Sequence, residues 1–186
     1  MFIEKIFLAL HQAYPEFEKR LKDSAESNGN GKMSLVSGSL ELDPSGEFTG
    51  AGYCLLTSAS LEYALSKSCS STIADVHAVH LKGGDVQPSN YKRLHTILKI
   101  TPTNSIDAFF VDLVYKQKNF LTNSSIITIP ESKLLNYYPG CEITQEFKQG
   151  ELPAIMNEIV ETEIEYQLLY NTLCLILIEA LATTPK

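Results

Sequence analysis

Apolar residues near the start of the chain fall at Phe2, Ile3, Ile6, Phe7, Leu10 and Ala13. That spacing follows the 3.6-residue period and predicts a helix over 2–13 with one apolar face. Pro15 and the charged run Glu16 to Lys22 predict the start of a second short helix. Residues 24–32 are rich in Ser, Asn and Gly and read as a turn. A weak strand signal follows over 33–42, and then a loop of turn formers runs up to Cys54. From Cys54 the period is helical again. Leu55, Leu56, Ala59, Leu61 and Leu65 make one broad face, and serines from 66 onward end it.

Beyond residue 72 the period changes. Residues 73–81 alternate as a strand, and 82–90 form a polar loop. Strands are expected over 94–100, 106–115 and 126–129, with a tight connection at 101–105. A helical turn is expected at 131–136. One long helix is expected from Pro153 to about Ala182, with proline in the first turn. Helices first, then strands, then a helix predict an α+β fold with a mostly antiparallel sheet. A single domain over 1–186 accommodates the pattern. Within it, 1–49 forms the N-terminal helices and loop, 50–130 the candidate catalytic core, and 131–186 the C-terminal helical part.

Composition narrows the function. The chain has 186 residues, of which 44% are apolar and 20% charged, and its net charge is −7. Those proportions fit a globular domain and argue against disorder throughout. A negative chain without a basic stripe repels phosphate backbones, so nucleic acid is not an expected partner. The four cysteines form no CxxC pair, and no structural zinc is expected. No Sec-type leader is visible, because Glu4 and His11 interrupt the opening run. A cytoplasmic location is therefore expected, with export by another route left open. The apolar stretch from Leu168 to Ala182 reads as too short for a membrane span. It reads instead as a buried helix or as the contact face of a homodimer.

Cys54 stands where a glycine-bearing loop meets an apolar helix. The first N–H groups of a helix lack internal acceptors and carry partial positive charge. A thiol placed there ionises more easily, and the thiolate is the nucleophile. The same N–H groups can stabilise an oxyanion. Gly50 and Gly52, with Tyr53, form the expected substrate and oxyanion loop, since glycine lets a substrate approach the backbone. The plainer reading of Cys54 is a small buried hydrophobe.

A nucleophile needs a base, and the base an orienter. A turn centred between residues 103 and 104 would set His95 directly opposite Asp112, on one sheet face. Asp112 would then fix the imidazole tautomer while the other ring nitrogen faces the thiol. Asp112 also lies inside FFVDLVY, a run suited to burial, and buried carboxylates are rare unless paired.

The segments GYCLLTSASLEYAL, RLHTILKI and FFVDLVYKQ resemble the papain-like superfamily, and within it the transglutaminase-like branch. That branch has a cysteine opening a helix, a histidine starting a strand and an aspartate on the next strand. Here these are Cys54, His95 and Asp112, separated by 41 and 17 residues. The resemblance spans about residues 50–117. The chain lacks the branch's frequent tryptophan after cysteine and proline after aspartate, and it has no tryptophan at all. The resemblance implies a cysteine-dependent hydrolase or acyl transferase acting on an amide or peptide carbonyl of a protein or peptide substrate, without a cofactor. The alternative it leaves is a non-catalytic interaction module on a degenerate papain-like fold.

Other motifs weigh less. His77 and His80 lie three apart on a strand and point to opposite faces, so no metal site is expected. Asp75 and His77 share a face and suggest a second pair, most simply structural. GKMS at 31–34 lacks a full phosphate-loop pattern. EIVETEIEYQ at 158–167 reads as a solvated acidic face.

Overall fold

A computed structural model describes residues 2–27, 53–68, 74–83, 94–103, 105–115, 124–161 and 164–184. The expected strand over 33–42 and the loop residues Gly50 and Gly52 lie outside them. The first element is one helix, α1, Phe2–Ser27, not two. Its buried positions are Ile6, Ala9, Leu10, Ala13, Phe17, Leu21 and Ala25. They keep helical phase across Pro15. An internal proline costs about 3 kcal/mol, and burial of this unbroken stripe offsets it. α2 spans Cys54–Ser68.

Five strands follow among the described residues: β1 Ala74–Lys82, β2 Leu94–Pro102, β3 Phe109–Asp112, β4 Ile127–Pro130 and β5 Glu142–Glu146. They form one antiparallel sheet in the order β4-β3-β2-β1-β5. A short 3₁₀ turn at Glu131–Lys133 and the helix α3, Leu134–Tyr137, link β4 to β5. The helix expected over 153–182 is two: α4 Glu151–Val160 and α5 Ile164–Thr183. The architecture is α+β.

The sheet is covered on both faces. Val76, Ala78, Leu98, Ile100 and Val111 face a layer built from α1, α2, α4 and α5. Val79, Leu81, Ile97, Phe110 and Ile129 face a second, smaller core closed by Tyr115, Leu134, Tyr138 and Cys141. α2 is buried almost all round, from Leu56 to Leu65. Two of its serines are tied off inside the protein: Ser60 Oγ donates to Leu56 O, and Ser58 Oγ donates across to Thr96 O on β2, at 2.9 Å. That last bond fixes α2 against the sheet.

α5 is 20 residues long and apolar on most sides. By length and composition alone its segment Tyr166–Thr183 could cross a bilayer, so the expected exclusion by shortness does not hold. In the fold its inner face, including Leu169, Leu173, Leu177 and Leu181, packs against α1 and α2.

Candidate active site

β3 pairs with β2 through Leu98 with Val111, Lys99 with Phe110 and Ile100 with Phe109. The register differs from the expected one by two residues, because the connection is longer than a two-residue turn: Ser105 N–H bonds Pro102 O, and β3 begins only at Phe109. Continued, this register sets Asp112 opposite Ile97, so His95 and Asp112 are diagonal neighbours rather than opposed ones. A shift of two preserves the sheet face, whereas a shift of one would not. Diagonal neighbours are still within reach of long side chains. His95 Nε2 donates to Asp112 Oδ2 at 2.6 Å, and both residues are buried.

Asp112 is held from three sides. Oδ2 also accepts from Tyr138 Oη at 2.7 Å, and Oδ1 accepts from Val114 N–H at 2.8 Å. A buried carboxylate persists when its lone pairs are filled in this way. Tyr138 comes from just beyond α3 and is fully buried, its ring centre 6.0 Å from that of His95. Its neighbour Tyr115 packs edge-on at 5.4 Å. The sequence reading missed Tyr138. It stands in the pair Tyr137-Tyr138, and only one of the two is buried; no local pattern separates them.

Cys54 opens α2 and keeps partial exposure. Its thiol feels the His95 imidazole and the backbone of Thr96, which both favour the thiolate. With Nε2 committed to Asp112, Nδ1 is the ring nitrogen left for the sulfur. Burial pushes the Cys54 thiol up, but the bond to His95, the imidazolium charge and the Thr96 backbone bond outweigh it and hold the thiol below its ordinary range. Burial pushes His95 down. The Asp112 carboxylate and the thiol outweigh it and raise the imidazole to about 9. Both shifts run in the direction that favours a thiolate–imidazolium pair over the neutral one.

Of the loop residues, Tyr53 is described. Its ring is buried in the helical core, not displayed to solvent, and its carbonyl accepts from Thr57 N–H at 2.9 Å. Among the described residues, the N-terminus of α2 itself is left to supply an oxyanion donor.

His80 bonds Thr96 Oγ1 through Nδ1 at 2.8 Å, and its ring meets Phe147 edge-on. Burial, and then the charge of His95, lower its pKa. His77 bonds Asp75 at 3.2 Å and lies 3.7 Å from Glu146. No group of three metal-ligating side chains occurs among the described residues. A thiolate on a cysteine of partial exposure, beside an oriented imidazolium at a helix N-terminus, can add to an electrophilic carbonyl and return a proton to its leaving group. No family model matches this chain, and no curated protein or solved structure matches it either.

Proposed function

We propose that the protein is a cysteine-dependent amide hydrolase or acyl transferase acting on a protein or peptide, on a papain-like arrangement of the transglutaminase-like kind. The observation that carries this reading is the buried imidazole of His95, held by Asp112 Oδ2 at 2.6 Å and electrostatically coupled to the Cys54 thiol at the start of α2.

The Cys54 thiolate attacks the carbonyl carbon, forming a C–S bond while the carbonyl π pair moves to oxygen. The N–H of Cys54, first in α2 and without an intrahelical acceptor, supplies an oxyanion donor. Collapse of the intermediate breaks the C–N bond, and the departing amine takes the proton held by His95. His95, now neutral, removes a proton from water, which attacks the thioester and releases the acid. Asp112 stays ionised and keeps the ring oriented throughout. An amine in place of water gives transamidation. Hydrolysis is favoured because water needs no second site.

The test is competitive alkylation with iodoacetamide at pH 7, read by peptide mass spectrometry. Cys54 is expected to react at least about tenfold faster than Cys69, Cys141 and Cys174, since rate follows the thiolate fraction. His95→Ala is expected to abolish that advantage. Equal, slow labelling of all four would sink the proposal and favour the interaction module. That second reading rests on Leu168 and Leu175, which lie one heptad apart on α5 at 70% and 59% exposure.

A further inference from the structure

At its other end α2 carries a second unusual group. Glu62 is 1% exposed. Its Oε1 accepts the N–H of Gly150, which adopts φ +80° as the residue before α4 and so turns that N–H onto the carboxylate. Its Oε2 is buried with no hydrogen-bond partner. A bare buried carboxylate oxygen costs free energy comparable to several lost hydrogen bonds. The same residue lines a cleft of about 250 Å³ between α2, β1 and α4, with Tyr63, Val76, Pro153, Ala154 and Asn157 on its walls.

We infer that this cleft is a binding site for a primary alkylammonium group, its charged head on Glu62 Oε2 and its methylene stem along Val76, Pro153 and Ala154. The chemistry selects among cations. A guanidinium binds a carboxylate best through both oxygens, and Oε1 is already taken by Gly150. A metal ion needs several ligands, and no group of three is present among the described residues. An ammonium is a compact point charge that needs one strong acceptor. Burial, helped by the negative potential of Asp75 and Glu151, outweighs the Gly150 bond and raises the pKa of Glu62 to about 7. A bound cation relieves both effects. Glu62 lies eight residues along the helix from Cys54, about 12 Å at the helical rise. An amine held there is too far to attack a thioester at Cys54, so this site stands whether or not Cys54 is catalytic.

The test is calorimetric titration of the full chain at pH 8, where Glu62 is ionised, with n-pentylamine, n-pentanol, n-pentylguanidine and Nα-acetyl-lysine amide. Pentylamine is expected to bind saturably, and the alcohol and the guanidine at least about tenfold more weakly, a difference of 1.4 kcal/mol. Glu62→Gln is expected to weaken pentylamine binding by at least the same factor while the far-UV circular dichroism stays unchanged. Ala154→Phe, at an exposed position on the cleft wall, is expected to abolish it without touching Glu62. Lysine amide binding as well as pentylamine identifies the occupant as a peptide lysine, and pentylamine alone identifies a free amine. Absence of saturable amine binding, equal binding of pentanol, or an unaffected Glu62→Gln variant would overturn the inference.

Discussion

Tyr138 and His95 share one oxygen atom, Oδ2 of Asp112, at 2.7 and 2.6 Å. The phenol therefore competes with the imidazole for the same negative charge and steers the carboxylate toward the ring. Tyr138→Phe keeps the packing and deletes only the bond. It is expected to cost about 2 kcal/mol of stability, as for a hydrogen bond to a charged group, and roughly 4–8 °C in Tm for a domain of this size. The carboxylate then pulls harder on His95, and the imidazole pKa moves up. Two-dimensional NMR of the His95 ring across pH reads that shift. A purely structural tyrosine would leave it unchanged.

The thiol and the imidazole set the pH dependence of labelling at Cys54. The thiol is held below its ordinary range, so the acid limb of the alkylation rate is expected to lie below that of a free cysteine. His95 is raised to about 9. Above that pH the ring loses its proton and the thiolate its ion pair. A substrate turnover step that needs the imidazolium proton is expected to fall there, whereas alkylation, which needs only the thiolate, is not. A stopped-flow alkylation profile beside a hydrolysis profile on one peptide amide checks both limbs. A single limb at the free-thiol pKa would show Cys54 to be unpaired with His95.

Glu62 gives a stability prediction of definite sign. Its carboxyl is raised to about 7 in the folded protein from 4.5. Between those values the native state holds the proton and the unfolded chain does not. Stability from this group is full below pH 4.5 and is lost as pH rises to about 7. The loss is at most about 3 kcal/mol, and less after screening at the open cleft. Glu62→Gln is expected to be more stable than wild type at pH 8, with the difference shrinking toward pH 4.5. Urea melts at the two pH values measure it, and because both proteins carry the same other groups, those contributions cancel. Glu62→Gln less stable at pH 8 would show that the ionised carboxylate is well solvated.

Ser58 couples α2 to β2 through one bond to Thr96 O, from a residue that is itself buried. Ser58→Ala leaves that carbonyl without this donor and is expected to cost about 1–2 kcal/mol. The helix N-terminus also loses its tie to the strand that carries His95. The labelling advantage of Cys54 at pH 7 is expected to fall with it, and Ser58→Thr, which keeps a hydroxyl, to retain part of it. Unchanged labelling in Ser58→Ala would place the anchoring of Cys54 elsewhere.

What the chain's pattern revealed depended on whether the signal was local. The start of α2 at Cys54 and the strands β1 and β2 follow from periodicity, and the depth of Asp112 from the apolar run around it. The pairing of β2 with β3 does not, because register is set by a turn whose length the pattern leaves ambiguous by two residues. β5 was invisible: Glu142–Glu146 is exposed throughout, and it is a strand because its backbone completes the edge of β1, not because of its side chains. α1 hid in another way, since Pro15 reads locally as a break while the stripe through Leu10, Ala13 and Phe17 continues past it. Glu62 gives no local signal of burial in the sequence. It is buried where α2 meets α4 and β1, a tertiary contact that no local pattern announces.

α5 tests whether its apolar character serves the core of this fold. Leu173 is fully buried against α1 and α2, while Leu175, two residues on, is 59% exposed. If the helix is a core element, truncation of the two must differ. Leu173→Ala is expected to cost about 2–5 kcal/mol, from lost burial and the cavity left behind. Leu175→Ala is expected to stay within about 0.5 kcal/mol, as for an exposed position. Urea melts of both variants in the absence of lipid or detergent read the contrast. Equal effects at the two positions, or no cooperative transition in wild type until detergent is added, would mean that α5 finds its partner outside this fold, with its whole circumference rather than one side buried there.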